Sequence, residues 1–273
     1  MPILTYHSIA RSAQPRFAKF VTSPEVFAEH IAYLHDQGYT PITVSQFVHA
    51  RSGGWANLPP RPVLLTVDDG YADFYSNALP ILARHGFVAT LYVVTGYIGG
   101  TSSWLQREGE ANRPMVTWDE LHEISEYGIE CGAHTHTHPS LDTLTMEAAR
   151  NEIFRSKSLL EDHLGRQVLS FAYPYGHYTK PVRAMVQHAG YSSACAVRYT
   201  SSSLTDDAYA LARYIIAANT EVSALARLLD GRQPPGLAQA MHVRTSVWQY
   251  TRSGAVHVQR IIRKAEQRFA TSS

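Results

Sequence analysis

Two cysteines, Cys131 and Cys195, are all that the 273 residues contain, too few for a disulfide framework. Both lie in apolar, strand-like stretches, where a thiol behaves as a small hydrophobe, so the redox compartment does not follow from them. An excess of one charge sign is missing too: 24 Lys and Arg stand against 23 Asp and Glu, a formal net charge of +1. Without a strong field, nothing argues for nucleic acid or an acidic partner. No apolar run approaches the roughly 18 to 20 residues needed to span a bilayer. The amino terminus, Met1 to Ile9, has neither a basic start nor an apolar stretch of signal-peptide length and reads as a short strand. If Met1 is the native start, a cytoplasmic location is the expectation. Internal repeats and low-complexity tracts are absent.

What is present suits one large domain with a sizeable core: 45% hydrophobic and 17% charged residues, with fourteen histidines among the rest. Strand-like and helix-like segments alternate along the chain. Ser23-Pro24-Glu25 opens a helical pattern with Phe27, Ile31 and Leu34 on one face, and Gly38 closes it. Extended structure follows at 39–44, then a short helix from Ser45 and a strand at 62–67. A helix over 74–85 stopped by Gly86 leads into a very apolar strand over 87–94. The pattern continues as helix 118–127, strand 129–133, long amphipathic helix 145–164, strand 168–172, helix 181–189, strands 191–197 and 210–216, and helix 221–229. Such alternation predicts an α/β fold with a largely parallel sheet, and about seven units suit a barrel better than an open sheet. The segment 97–114, rich in Gly and Ser and carrying Trp104, is long enough for a rim or lid over a site, or for an idle surface excursion.

Reactive side chains gather at two strand ends. The run Val63-Leu64-Leu65-Thr66-Val67 stops on Asp68-Asp69-Gly70; about 65 residues later, Cys131-Gly132-Ala133 stops on His134-Thr135-His136-Thr137-His138-Pro139. Either alone has an ordinary explanation, turn chemistry for the first and a polar loop for the second. Together, each directly after an apolar run, they point to metal-dependent chemistry. His134 and His138, at i and i+4, can share one face of a helical turn, and a carboxylate from elsewhere completes a three-ligand site with a position open for water. In a barrel these strand ends, with Pro174-Tyr175-Gly176, fall on the face where active sites form.

Thr66-Val67-Asp68-Asp69-Gly70 resembles the T-F-D-D-G motif of the polysaccharide deacetylases, carbohydrate esterase family 4. His134 to His138 resembles that family's H-[S/T]-x-x-H motif, and Phe171-Ala172-Tyr173-Pro174-Tyr175-Gly176 its R-x-P-Y-G element. The likeness runs from about residue 1 to about 230. It implies a distorted (β/α) barrel of about seven repeats and a metal-dependent hydrolase that removes acetyl groups from carbohydrate. By the same resemblance Asp69, His134 and His138 would hold one divalent ion, zinc foremost, with cobalt, nickel or manganese accommodated. Asp68 would be the general base toward the attacking water, and the Tyr175 backbone N–H would stabilise the oxyanion. His136 would be structural or support the ligands.

Three family features are missing. The arginine that orients the base is replaced by Ala172, and neither the D-x-x-D-W element nor the carboxyl-terminal L-x-H that supplies the acid is visible. In a permuted branch resembling the poly-N-acetylglucosamine deacetylases, the acid histidine follows a tyrosine on the first strand, and Tyr6-His7 has that form. His7 is therefore the candidate acid, against the alternative of a strand-end histidine satisfied by a neighbour. Arg213, ending the strand-like 209–212, is the candidate replacement for the missing arginine, or else pairs with a structural carboxylate.

The expected organisation is a catalytic domain over 1–232 and a helical extension over 233–273. In the extension Val258, Ile261, Ile262, Ala265 and Phe269 recur at helical spacing beside Arg260, Arg263, Lys264 and Arg268. That helix would pack on the barrel with a solvated basic face, or touch an anionic membrane surface. The expected function is removal of N-acetyl groups from an amino-sugar polysaccharide or oligosaccharide. The alternatives are an O-acetyl sugar esterase, a cyclic amide hydrolase of related fold, and a carbohydrate-binding protein with a decayed site. Oligomeric state is not legible.

Overall fold

A computed structural model describes residues 1–51, 55–198 and 200–231. The extension expected over 233–273, with its basic helix, lies outside the described residues. The rest is a parallel α/β barrel. Strand β1 (Ile3–Tyr6) is followed by β2 (Ser8–Ile9), which pairs with β3 (Val21–Thr22) in a small ribbon, and β4 (Thr40–Pro41) lies beside the start of β5 (Pro62–Val67). Then come β6 (Thr90–Val93), β7 (Glu130–Ala133), β8 (Ser170–Ala172), β9 (Ser193–Cys195) and β10 (Tyr214–Ile215). The strand order is β10-β1-β5-β6-β7-β8-β9, all parallel. Leu211, just before β10, bridges Cys195 of β9. The segment 211–215 thus touches β9 on one side and β1 on the other, and seven strands enclose one interior.

Successive strand residues point to opposite faces, and the core divides accordingly. Leu4, Leu65, Leu91 and Phe171 pack outward under the helices, while Ile3, Leu64, Tyr92, Ala172 and Cys195 fill the interior. A Cβ at Gly132 would lie 2.6 Å from the Tyr92 ring, so only glycine lets that ring turn inward.

The helices start where capping chemistry directs. Ser23 accepts from Val26 N–H and Pro24 opens α1 (Pro24–Asp36), which buries Phe27, Ile31 and Leu34. Reciprocal capping boxes begin α2 (Val44–Ala50) and α4 (Trp118–Glu126). The helix expected over 74–85 is a π-helical turn, Phe74–Ala78, followed by α3 (Leu79–Arg84). Three more follow: α5 (Met146–Leu164), α6 (Lys180–His188) and α7 (Val222–Leu229). No helix among the described residues is long and apolar enough to cross a membrane.

Candidate active site

The expected site residues come from different strands and meet at the carboxyl-terminal end of the barrel. β5 runs in register with β1, Val67 opposite Tyr6, and Asp68 N–H donates to the Tyr6 carbonyl at 3.0 Å. His7 therefore leaves β1 beside the two aspartates. Asp69 then turns the chain at φ 77°, presenting its carboxylate at an angle that a straight strand would not allow.

Asp68 and Arg213 form a buried, two-pronged ion pair. Arg213 Nη1 donates to Oδ1 at 2.7 Å and Nη2 to Oδ2 at 2.8 Å. The guanidinium is fully buried and also donates to the Ala196 carbonyl and to Thr66 Oγ1, each at 3.2 Å. Burial alone would raise the Asp68 pKa; Arg213, helped by His134 and His7, outweighs it and holds the carboxyl below its ordinary value. Reaching Asp68 from the neighbourhood of β10, Arg213 makes the contact that Ala172 cannot.

Asp69, His134 and His138 bring one potential ligand atom each within 4.8 Å of one another. Asp69 Oδ1 lies 3.2 Å from His138 Nε2 and 3.5 Å from His134 Nε2. Its other oxygen accepts from Tyr71 Oη at 2.7 Å. His134 Nδ1 is 2.8 Å from the Ala172 carbonyl, which can only accept, so Nδ1 carries the proton and Nε2 presents a lone pair. Burial pushes the His134 pKa down to about 4, so the ring is neutral near pH 7. Burial raises the Asp69 pKa, but His138, His7 and His134 pull it well below the ordinary value. A neutral imidazole and a carboxylate thus face each other with lone pairs. Asp69 Oδ1 and His138 Nδ1 are buried with no hydrogen-bond partner among the described residues. A divalent cation fits that donor set, two nitrogens and one oxygen.

The geometry of the histidine segment differs from the helical turn its spacing suggests. It is a loop in which Thr135 (φ 69°) and His138 (φ 61°) both take left-handed backbone conformations, and His138 N–H donates to Thr135 Oγ1 at 3.0 Å. For a β-branched threonine this is a true outlier, costing roughly 1–3 kcal/mol that the surroundings must offset. These backbone reversals, rather than helical periodicity, turn His138 toward the Asp69 carboxylate that His134 faces from the end of β7. His136 is directed away, its Nδ1 3.0 Å from Thr95 Oγ1.

The walls are aromatic. Segment 97–114 forms a rim: Trp104 lies 5.3 Å from the His138 ring and stacks on Tyr71, with Tyr97 4.9 Å away. Its base is fastened by Arg113, which donates to Ser8 Oγ and Asp73 Oδ2; Asp73 also accepts from the Ile9 N–H, just beyond His7. Opposite, Tyr175 sits at φ 60° in the turn after β8, half exposed, its ring 4.9 Å from His138. His7 packs on Phe20 at 4.9 Å, its buried Nδ1 unpartnered among the described residues. Sequence reasoning missed Tyr71 and Glu152. Tyr71 follows the aspartates directly. Glu152 is a charged residue in the buried stripe Ala149, Ile153, Ser156, Leu160 of α5, a signal that could have found it.

Comparison with known proteins agrees with this geometry. The polysaccharide deacetylase family model matches residues 56–194, just over half of the chain. The protein YxkH of Bacillus subtilis (strain 168) is 27% identical over 234 residues, covering 84% of this chain and 76% of its own. A poly-beta-1,6-N-acetyl-D-glucosamine N-deacetylase of Staphylococcus aureus (strain MRSA252) is 24% identical over 215 residues, 76% of this chain and 71% of that one. The solved structure of the Streptococcus pyogenes deacetylase PplD in complex with acetate superposes with a TM-score of 0.73 at 26% identity, covering 86% of this chain and 98% of that one.

Proposed function

Because the chain belongs to the polysaccharide deacetylase family, we propose that it hydrolyses the acetamide of an N-acetylated amino sugar in a polysaccharide or oligosaccharide, with one divalent ion held by Asp69, His134 and His138. The observation that carries this is the pairing of two adjacent carboxylates with different partners, Asp68 on Arg213 and Asp69 on two histidine nitrogens. The name of the Staphylococcus aureus relative supports an N-acetylglucosamine polymer as substrate class. Presence of all three ligands and of the Asp68–Arg213 pair speaks against a decayed, merely binding protein.

Zinc suits the donor set best, with cobalt, nickel or manganese as substitutes. Such an ion polarises the acetyl carbonyl and makes water more acidic. The protein groups divide the remaining work. Asp68, kept ionised by Arg213, takes the proton of the attacking water at a carboxylate oxygen. The Tyr175 backbone N–H donates to the acetyl oxygen as negative charge grows on it. His7 delivers a proton to the leaving nitrogen, since an amine departs poorly unprotonated. Trp104 and the half-exposed Tyr175 offer apolar ring faces on which sugar rings can lie.

The test is acetate release from N-acetylglucosamine oligomers and from O-acetylated sugars, by protein stripped with chelator and by the same protein reloaded with each metal. Release from the acetamides, abolished by stripping and restored by reloading, is expected. Undiminished release from protein shown to be metal-free contradicts the metal role, and release from O-acetyl sugars alone makes the protein an esterase.

A further inference from the structure

We propose that Glu152 is a positioning residue for the metal ligands: from the middle of α5 its carboxylate locks the loop 135–138 in the shape that brings His138 to Asp69. The proposal rests on Asp69, His134 and His138 being the metal site.

Glu152 is buried, 8% exposed, and spends its carboxylate on this loop. Oε2 accepts from two successive backbone N–H groups, His136 at 2.8 Å and Thr137 at 2.7 Å, and Oε1 accepts from Thr137 Oγ1 at 2.6 Å. Successive N–H groups turned to one side by a left-handed residue form a concave cradle for an anion, and Thr135 supplies that residue here. The anion is built into the protein. A buried carboxylate persists only if its oxygens are hydrogen-bonded, so the charge and the loop conformation require each other.

The other side of the loop is held by backbone. Gly96 N–H donates to the His136 carbonyl at 2.7 Å and Thr95 N–H to that of Thr135 at 3.2 Å, and a Cβ on Gly96 would come within 2.6 Å of the His136 oxygen. Glu152 holds its own side of the loop with a charge. Without it the two N–H groups lose their acceptor, the left-handed Thr135 is offset only by the backbone bonds from Thr95 and Gly96, and the chain relaxes there. The consequence is uneven. His134 precedes the strained residue and stays fixed by β7 and the Ala172 carbonyl, whereas His138 follows it and moves.

The experiment measures the dissociation constant for zinc, by competition with a chromophoric chelator, and the visible spectrum of the cobalt-loaded protein. It compares wild type, Glu152→Ala, Glu152→Gln, Thr137→Val and, as a core control on the same helix, Ile153→Val. The expected result is binding weakened about 10- to 100-fold in Glu152→Ala, the scale of lost supports behind metal ligands. Glu152→Gln, which keeps one acceptor, should fall between it and wild type, with a changed cobalt spectrum in both. Ile153→Val should bind as wild type does. If Glu152→Ala fails to fold, Glu152→Gln and Thr137→Val carry the same comparison. Wild-type affinity and spectrum in the Glu152 variants, or equal weakening in Ile153→Val, overturn the positioning role and leave the metal site standing. Wild-type protein that takes up no divalent ion removes the site itself, and this role with it.

Discussion

The two ends of the barrel are built from the same strands and yet follow opposite rules. At the amino-terminal end, α2 closes the interior with Val44 and Phe47, and the carboxylate of Glu130 beside it is satisfied. It accepts from Ser45 N–H, Ser45 Oγ and Thr90 Oγ1 at 2.5 to 3.0 Å. At the carboxyl-terminal end, Asp69 Oδ1, His138 Nδ1, His7 Nδ1 and Trp104 Nε1 are buried without hydrogen-bond partners among the described residues, whereas the unpartnered buried atoms toward the other end are two serine hydroxyls at the starts of β8 and β9, Ser170 and Ser193, and Arg51 Nη1. Among the described residues, four of the five non-glycine residues with positive φ lie there too: Asp69, Thr135, His138 and Tyr175. Folding stability favours the first arrangement; open coordination positions and unspent donors are what a site needs. One end therefore holds the barrel shut, and the other is held in readiness by it.

The sharpest way to break this contrast is His7. It should be needed at the open end and nowhere else, so His7→Ala should cut acetamide turnover by about 10²-fold or more while metal content is unchanged. An activated acetate ester, whose leaving group needs no proton, should suffer less. Equal losses on both substrates, or none on either, reject the acid role.

Arg213 links the site to the interior. Arg213→Met strands a buried Asp68 charge, which should cost roughly 3–5 kcal/mol in chemical denaturation. The pH profile gives an independent reading. With the folded pKa of Asp68 below its unfolded value, the pair stabilises above about pH 4 and this stabilisation disappears as pH falls further. Without Arg213, burial dominates and the Asp68 pKa rises, so the acid limb of kcat/KM should move upward in Arg213→Met. An unmoved limb means that Asp68 is not the titrating base.

At the closed end the same kind of substitution should separate stability from activity. Glu130→Gln loses charge-assisted bonds to Ser45 and Thr90 and should destabilise by about 1–3 kcal/mol with kcat and metal affinity unchanged. A parallel loss of turnover would show that the two ends are coupled. The smallest effect is expected at the thiols. Burial pushes Cys131 up to about 12 and Cys195 up to about 11, so neither should react with a thiol reagent at pH 8 until the protein unfolds.

Most of the architecture was legible because it rests on local chemistry: the Ser23 cap with Pro24 that opens α1, and apolar strand-like runs alternating with helical patterns. Strand ends were read too long. Phe87 extends the apolar run before β6, yet its N–H caps α3 through the Leu82 carbonyl, so the strand begins only at Thr90. The identity of the site residues was legible from motif and spacing, but their geometry was not. A four-residue separation of histidines suggests a helix, whereas the strain at Thr135 is sustained by Glu152 and Gly96, both distant in sequence from what they shape. Arg213 could be named from its place at a strand end; its grip on Asp68 depends on β10 lying beside β1, a fact of topology rather than pattern.

The division of labour between the neighbouring aspartates is tested most directly by measuring zinc content and acetate release side by side in Asp68→Asn and Asp69→Asn. Asp68→Asn is expected to keep its metal and lose roughly 10²-fold or more in rate, while Asp69→Asn loses metal and activity together. If both variants hold metal as wild type does and only Asp69→Asn is impaired in turnover, the roles of base and ligand are reversed.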